Sequence, residues 1–422
     1  MPNKMQLGGE FLKVFPYDAD GQSLAVGMSL ADSLVASEFG EVRTAPPGNR
    51  SDTEFLYNKQ PLLFDDISAG GGSAVHGANG RHVALSVNGT AGTAVGGLRQ
   101  HYWTPYTPGS GQEIDITGTL DLTGLGGGSA SAFLRSTVTG TTVLTEVKQT
   151  DWEALTDSVH WQYSQIFRIS FQSLRVGSIQ FSIANGRAPT KVAEIENENR
   201  RSGGYWQYAN LPPYWKIYNT ATETIAEIGY GDEFNGVGFM YRYGSVQATA
   251  TMLAICETVK SQGGQPLFDM PGFTFSTPPL AAKTVSTTLI PILSIRVAAT
   301  LNSIANRIVT IPTSYELLTD NPIDYVILYR AALTNASWVA VNATYSGVEY
   351  DITASAVTGG IQVDGGMLAS GNNQRIGRDA VLGRTIMSLG NTGTSDILTL
   401  AAIRSGSTNG AVKSVLKWKE IQ

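Results

Sequence analysis

Carboxylates are the residues of this chain that could most readily do chemistry. Glu194, Glu196 and Glu198 alternate along one segment. In a strand they would share one face, where like charges repel unless water or a cation lies between them. We therefore interpret this segment as a solvated loop or the rim of a sheet.

Two acidic pairs are the other candidates for acid–base chemistry: Asp65-Asp66, and Asp151 with Glu153. Both pairs stand beside turn residues, so their oxygens are expected to accept hydrogen bonds within turns. A glycosidase needs two carboxyl groups about 5 to 10 Å apart across a cleft. The order of residues along the chain does not show such a spacing, and no catalytic residue is nominated.

Residue types that bind metals or act as nucleophiles are scarce. The four histidines, at positions 76, 82, 101 and 160, have neither the helical spacing nor the thiolate neighbours of a zinc site. Cys256 is the only cysteine and lies in an apolar run, so we expect a small buried side chain and no intrachain disulfide. The glycine-rich segment 124–128 lacks the Gly-Lys-Ser/Thr of a phosphate loop. We expect no cofactor, no metal site and no enzymatic activity.

Arginine and aromatic residues mark the candidate contact surfaces. Arg99, Tyr102 and Trp103 form a strand end that either caps the edge of a sheet or meets another subunit, since such residues are enriched at interfaces. Five further candidates for contact with a partner or a glycan lie in the densest aromatic zone: Tyr205, Trp206, Tyr208, Tyr214 and Tyr218. Side chains alternate along the segment around Trp215, which predicts that one set of alternate residues is buried in the core and that the other set is exposed. Packing is favoured over stacking on a sugar, because rings dominate core energetics.

Composition limits the class of protein. The chain has 422 residues, 47 of them glycine, with 15% charged residues and a net charge of −6. So mild a charge indicates no partnership with nucleic acid and no anchor on an anionic membrane. No window approaches about 18 uninterrupted apolar residues, and the first residues lack the apolar core of a signal peptide. We expect a soluble protein, or one that joins an assembly without a signal of its own.

Strands are the elements that must position these residues. Apolar residues alternate with small or polar ones in 83–87, 167–171 and 179–183, a period of two that predicts half-buried strands. The link from Gln172 to Ser178 suggests that the last two strands form a hairpin. Repeated short strands broken by Gly, Asn and Ser predict an all-β fold, an antiparallel β-sandwich of the jelly-roll or lectin-like kind.

Four regions follow one another along the chain. Residues 1–50 hold few strand patterns, with weak helical spacing only at Ala31 to Phe39, and are interpreted as an extended attachment arm. Residues 51–265 are the predicted β-sandwich. Gly and Pro residues indicate a linker at 266–280. Alternation resumes beyond it, so 281–422 are predicted to form a second β domain.

Several short stretches follow an order found in virion structural proteins of tailed bacteriophages. They are 52–55, 60–66, 70–72, 98–102, 106–109, 165–171 with 176–177, 211–214, 255–259 and 291–296. Together they resemble the β-sandwich module of phage fibre, tail and head-decoration proteins over residues 51–418. The arm before Ser51 matches no part of that module.

The resemblance implies a structural role in a virion, assembled in the host cytoplasm. A tail fibre or tail-associated appendage that mediates assembly and host attachment is the favoured expectation. Its partners would be copies of itself, as a trimer in fibres, other virion proteins through the arm, and a host-surface glycan, with no nucleic acid and no membrane insertion. Two alternatives stay open: a head-decoration or collar fibre protein, and a glycan-binding or glycan-cleaving tailspike.

Overall fold

The computed structural model describes residues 3–7, 10–14, 48–89, 92–107, 110–121, 123–125, 127–155, 159–172, 176–184, 189–197, 203–261, 270–369, 373–378, 385–390 and 393–421. The chain divides into two compact units, Met1–Thr44 and Ala45–Gln422. Regular structure in the described part is almost entirely β-strand, with one short 3-10 helix at Gln149–Asp151. Within these residues, no helix has the length and apolar character to span a bilayer.

The first unit contains a hairpin where the sequence suggested few strands. β1 (Asn3–Leu7) pairs antiparallel with β2 (Glu10–Val14), with Asn3 opposite Val14. Gly8 and Gly9 separate the two strands in sequence, and glycine pairs favour two-residue hairpin connections. The hairpin lies within the region interpreted as an arm, and the weakly helical stretch from Ala31 to Phe39 lies outside the described residues.

The second unit begins with strands that form a β-sandwich. They are β3 (Gly48–Glu54), β4 (Phe64–Asp66), β5 (Gly72–Gly77), β6 (His82–Asn88), β7 (Val95–Gln100), β8 (Gln112–Thr119), β9 (Ser129–Ser136), β10 (Val143–Lys148), β11 (Gln165–Phe171), β12 (Ile179–Ala184), β13 (Pro189–Ile195), β14 (Pro213–Asn219), β15 (Thr224–Gly231), β16 (Gly236–Arg242) and β17 (Thr249–Ser261). We call residues 48–261 the sandwich.

Two antiparallel sheets face each other in the sandwich. The seven-stranded sheet has the order β10-β9-β16-β15-β14-β7-β4, and the other has the order β13-β12-β11-β8-β17-β6-β5 with β3 beside β17. Their inner faces meet in one apolar core, in which the rings of Phe167 and Phe239 lie 5.0 Å apart and those of Phe171 and Trp206 lie 5.1 Å apart. The predicted antiparallel β-sandwich is confirmed.

The predicted strands lie where alternation put them. β6, β11 and β12 bury their alternate apolar residues fully. β11 and β12 also form the predicted hairpin, with Phe167 opposite Ile183. A period of two places every second side chain on the same face, so the inner face can be identified from sequence once the strand is known.

The remaining strands form sheets of their own. They are β18 (Phe273–Ser276), β19 (Lys283–Val285), β20 (Ile290–Val297), β21 (Thr300–Leu301), β22 (Ile304–Ala305), β23 (Val309–Thr319), β24 (Ile323–Tyr329), β25 (Ala332–Thr334), β26 (Val339–Ala340), β27 (Val348–Asp351), β28 (Ala356–Thr358), β29 (Ile361–Leu368), β30 (Asn373–Arg378), β31 (Ile397–Arg404) and β32 (Gly410–Ile421). We call residues 273–421 the second β region.

A five-stranded and a six-stranded sheet make up most of this region. The first has the order β18-β32-β23-β30 with β19 beside β32, and the second has the order β26-β27-β20-β31-β24-β29. Both contribute to a separate core that includes Trp418, Tyr315, Tyr325 and Leu400. A small third cluster joins Tyr102 of the sandwich to Val309, Ile311 and Ile421 of the second β region.

Candidate functional site

One side chain of the seven-stranded sheet organises a polar site at its end. Arg99 lies on β7 opposite Tyr214 of β14, and both side chains point away from the sandwich core. The guanidinium group of Arg99 donates two parallel hydrogen bonds to Glu233, from Nη1 to Oε2 at 2.7 Å and from Nη2 to Oε1 at 2.5 Å. This bidentate geometry is the strongest form of an arginine–carboxylate pair.

Glu233 keeps its negative charge over a wide pH range. Burial by itself would raise its pKa, but the hydrogen bonds and the charge of Arg99, together with the charge of Lys216, lower it to about 2. Lys216 Nζ lies 3.4 Å from Glu233 Oε1. Glu233 is nevertheless 48% exposed in its side chain. The site therefore has a fixed anion at its edge, held by two cations.

The turn between β15 and β16 carries Glu233 and presents an exposed ring. Asp232 Oδ1 accepts hydrogen bonds from the backbone N–H groups of Phe234 at 2.8 Å and Asn235 at 2.7 Å. Asp side chains stabilise turns in this way by replacing a backbone acceptor. With its backbone fixed, Phe234 leaves its ring 55% exposed.

An arginine of the second β region completes the site. The guanidinium carbon of Arg307 lies 3.4 Å from the ring centroid of Tyr208 and 4.5 Å from that of Trp103. Its Nη2 lies 3.4 Å from Asp232 Oδ2, which also accepts a hydrogen bond from the Tyr208 hydroxyl. Trp103 Nε1 donates to the carbonyl of Leu389 at 3.0 Å. Stacking and hydrogen bonds thus fix the arginine before any ligand arrives.

These groups line a cavity of about 150 Å³ between the sandwich and the second β region. We call it the junction pocket. Its remaining wall is formed by Ala305, Asn306, Leu389, Gly390 and Gly393.

Two larger cavities are lined mainly by apolar side chains. One of about 350 Å³ lies beside β23 and β32, against Leu280 and Leu317. Another of about 220 Å³ lies against Leu63, Tyr102 and Tyr329. The junction pocket differs from both because charged groups form its floor and an exposed ring stands at its edge.

The structure brings together three of the eight residues that the sequence singled out. Arg99 and Trp103 line the junction pocket, and Tyr208 supports Arg307 from behind. Tyr102 lies nearby in the small cluster with Val309. The Arg99–Trp103 strand end does meet another surface, but that surface belongs to the same chain.

The other four residues lie elsewhere and correct the expectation of an exposed aromatic set. Tyr205 and Trp206 are fully buried at the sandwich core, and Tyr214 is buried on the opposite face of its sheet. Tyr218 is half-buried beside it. Buried rings have no surface left for a partner or a glycan.

A buried carboxylate explains why the side chains of β14 that point away from the sandwich core are not solvated. Glu227 of β15 accepts hydrogen bonds from the hydroxyls of Tyr214 at 2.9 Å and Tyr218 at 2.8 Å, and from Arg135 at 2.7 Å. Burial alone would raise the pKa of Glu227, but the charges of Arg135 and Lys216 and the hydrogen bonds from Tyr218 and Arg135 together outweigh it, and the net shift of the pKa is downward. Nothing in the local sequence marks Glu227, because its partners come from β9 and β14.

The acidic residues considered from sequence have structural partners. Asp66 accepts a hydrogen bond from the backbone of Ser68 at 3.0 Å, as expected for a turn acceptor. Asp65 instead lies 2.7 Å from Nδ1 of buried His101. Glu153 and Glu194 both pair with Lys191, and Glu198 lies outside the described residues.

His101 lies between carboxylates of the two regions. Its Nε2 lies 3.0 Å from Oδ2 of Asp396, which precedes β31, and Arg330 pairs with the other oxygen of Asp396 at 2.6 Å. Burial by itself would lower the pKa of His101, but Asp396 and Asp65 outweigh it and raise the pKa to about 9. At neutral pH, a charged imidazolium therefore joins the sandwich to the second β region.

No group of three or more metal-ligating side chains is placed to hold an ion within the described ranges. Cys256 is half-buried on β17 rather than enclosed in the core. Burial raises the pKa of its thiol.

Comparison with known proteins gives matches only among solved structures. No family model matches the chain, and no curated protein matches it. A β-glucanase of Bacillus licheniformis is 10% identical, with 50% of this chain and 97% of that one covered and a TM-score of 0.19. Arcelin-5, a lectin-like defence protein from Phaseolus vulgaris, is 11% identical over 50% and 97%, with a TM-score of 0.19.

An endo-β-1,4-glucuronan lyase from the fungus Trichoderma reesei is 9% identical over 50% of this chain and 95% of that one, with a TM-score of 0.22. At such values the likeness assigns neither a site nor an activity to this chain. The sequence-based exclusion of enzymatic activity is nevertheless contradicted by a set that includes glucanases and a lyase. The expectation that this chain has no enzymatic activity is therefore wrong.

Proposed function

We propose that this chain is a glycan-binding β-sandwich protein and that the junction pocket holds one sugar unit of the glycan. The observation that carries the proposal is the exposed Phe234 ring beside a charged floor that is already held in place. Sugar rings have apolar C–H faces and polar hydroxyl edges, so they need an aromatic platform and hydrogen-bonding groups at a short distance from each other. The junction pocket supplies both.

The size of the pocket supports a short contact rather than full enclosure. A volume of about 150 Å³ lies below the about 300 to 1,000 Å³ that drug-sized ligands occupy. A single pyranose at the end or along the side of a longer chain suits such a cavity. The rest of the glycan would extend past Phe234 into solvent.

Preorganisation supports the proposal as well. Arg99, Glu233 and Arg307 are each held by partners within the protein, so a ligand would not have to order them. Binding loses less free energy when the contacting side chains are already fixed. A surface whose lysine side chains are mobile would lack this advantage, because a ligand would have to order them on binding.

A host-surface glycan was one of the partners expected from the sequence, and glycan binding is compatible with host attachment. The virion role, the oligomeric state and the arm's attachment to other virion proteins stay predictions from the resemblance alone. A tailspike that binds glycans is the form of that expectation closest to the present proposal.

The first prediction is that Phe234→Ala weakens glycan binding about fivefold, because loss of a stacked ring removes on the order of 1 kcal/mol. Binding of the purified full-length chain is measured by calorimetry with the oligosaccharide that gives the strongest signal on a glycan array. Tyr163→Ala is the matched control, because Tyr163 is also an exposed aromatic residue, 62% accessible, and its neighbour is His160 rather than the pocket lining.

Two results would contradict the proposal. One is an array on which no glycan binds; the other is equal affinity of Phe234→Ala and the unaltered chain. Release of reducing ends is followed in the same samples, so that cleavage of the bound glycan is detected where it occurs.

A further inference from the structure

We propose that the junction pocket selects acidic glycans, meaning sugars that carry a carboxylate group such as uronic acids. The inference deepens the proposed function and rests on it. It comes from the hydrogen-bonding capacity that the pocket has left after its internal contacts are counted.

The acceptor groups of the floor are already in use. Asp232 Oδ1 accepts from two backbone N–H groups, and Oδ2 accepts from Tyr208 with Arg307 nearby. Glu233 Oε2 accepts from Arg99 Nη1, and Oε1 accepts from Arg99 Nη2 and lies close to Lys216. Each of the four carboxylate oxygens therefore has a donor before any ligand binds.

The donors of the floor are in excess. A guanidinium group has five N–H donors, and Arg307 uses only Nη2 in a hydrogen bond within the described part of the chain. The Nε atoms of Arg307 and Arg99 are enclosed by protein and closed to a ligand. Nη1 of Arg307 also has no acceptor among these residues, but it belongs to a side chain that is 18% exposed and faces the pocket. An accessible guanidinium donor without a protein acceptor is open to a ligand, so a ligand that supplies acceptor oxygens would be favoured.

The balance of charges in the pocket also favours a ligand that carries acceptor oxygens with a negative charge. Arg99, Arg307 and Lys216 face Asp232 and Glu233, which leaves one positive charge in excess. The neighbouring ionic groups do not offset it, because His101 and Arg330 balance Asp65 and Asp396. A sugar carboxylate supplies both the missing charge and two acceptor oxygens, and planar guanidinium groups bind carboxylates through paired hydrogen bonds.

A matched pair of ligands tests the inference. Oligoglucuronate and its carboxyl-reduced form, which is a neutral oligoglucose of the same length and linkage, are titrated into the full-length chain at low and high salt. We expect the acidic form to bind about tenfold more tightly at low salt, since a charge-assisted contact is stronger than a neutral one. The preference should shrink as salt screens the charges.

Three variants assign the preference to the pocket. Arg307→Gln should abolish the preference for the acidic form. Glu233→Gln should strengthen acidic binding severalfold, because it removes a carboxylate that competes for Arg99, while the amide oxygen keeps one acceptor for that guanidinium. Arg296→Gln is the matched control, because Arg296 also stacks on a ring, 4.5 Å from Trp338, and pairs with a glutamate, but outside the pocket.

The outcomes separate the two proposals. Equal binding of both ligands, combined with a loss on Phe234→Ala, overturns the acidic preference and leaves glycan binding in place. Binding of neither ligand, nor of any other glycan, overturns both. An acidic preference that survives Arg307→Gln and does not grow in Glu233→Gln also overturns the inference, because the selecting charge would then lie elsewhere.

Discussion

Residues whose partners come from distant strands decide which polar groups of this protein are structural. Glu227 is a clear case, because two tyrosine hydroxyls and Arg135 all use the same buried carboxylate. Removing one partner of a buried ionic network leaves the others unpaired in a medium of low dielectric constant. Such a residue is a better target for a stability measurement than any exposed acid of the chain.

The second prediction is that Glu227→Ala lowers the free energy of unfolding by about 3 kcal/mol or more. The variant leaves the guanidinium of Arg135 and two hydroxyls without their acceptor. Urea denaturation followed by tryptophan fluorescence gives the value. Glu349→Ala is the matched control: its partner Arg296 is 2.7 Å away, but both side chains are partly exposed, so a loss below about 1 kcal/mol is expected. Similar losses in the two variants would contradict this account of Glu227.

Single residues were harder to interpret from sequence than strands. Asp65 and Asp66 are adjacent and look alike, yet Asp66 accepts a turn hydrogen bond while Asp65 pairs with His101. Phe234 and Arg307 received no functional interpretation, although a turn signal is present in Asp232 and Asn235. The reason is physical: the sequence shows local hydrogen-bonding capacity, but the partner that uses this capacity comes from a strand far along the chain.

At the scale of elements, two glycines allow close approaches within the seven-stranded sheet. Gly229 of β15 lies opposite Gly238 of β16. A β-carbon on Gly229 would approach the Tyr214 ring to 3.1 Å, and one on Gly238 would lie 2.3 Å from the carbonyl oxygen of Ile228. The space that Gly229 leaves open admits the ring of Tyr214, whereas Gly238 allows the backbone of β15 to approach closely.

The third prediction is that Gly238→Ala lowers the free energy of unfolding by about 1 to 3 kcal/mol, because the new methyl group meets backbone that must move. Gly203→Ala is the matched control, since a β-carbon at Gly203 meets no atom within 4 Å, and a change within about 0.5 kcal/mol is expected there. Both values are measured by urea denaturation. Equal stability of Gly238→Ala and the unaltered chain would show that the sheet relaxes without cost.

Alternation was sufficient to predict β6, β11 and β12, because every second side chain of each strand is buried in the sandwich core. It was not sufficient to predict the outer face of β14. The expectation of one buried and one exposed set failed there because Tyr214 is buried as completely as Trp215. Alternation identifies the two faces of a strand, but it does not reveal a second cluster of partners on the outer face.

At the scale of the whole molecule, the contact between the sandwich and the second β region depends on a charged histidine. His101 is protonated at neutral pH because Asp65 and Asp396 flank it, with Arg330 beside Asp396. Its pKa of about 9 lies above the value of about 6.5 expected in an unfolded chain. The folded state therefore binds this proton more tightly than the unfolded state does.

The fourth prediction follows from this raised pKa. The stabilisation that protonated His101 contributes is fully present below about pH 6.5 and is lost as the pH rises through about 9. Between pH 7 and 10 we expect the unaltered chain to lose about 2 kcal/mol more stability than His101→Gln, because the glutamine has no titrating group at that position. His160→Gln, in an exposed position, should follow the unaltered chain. Parallel pH profiles of His101→Gln and the unaltered chain would contradict the assignment.

The sequence left two interpretations of Arg99, Tyr102 and Trp103 open: they cap the edge of a sheet, or they meet another subunit. The identity of the partner was open, because aromatic and arginine enrichment is similar at contacts within and between chains. The structure places the second β region against these residues. Copies of the chain, and any virion partner, would have to use other surfaces.

The stacking of Arg307 on Tyr208 and Trp103 has a consequence for any glycan that binds there. Neither half of the molecule contains a complete pocket, so each half expressed alone should fail to retain sugar. In the intact chain, the bound sugar would hold the sandwich and the second β region together. A ligand that binds only when the two are in contact raises the free energy needed to separate them.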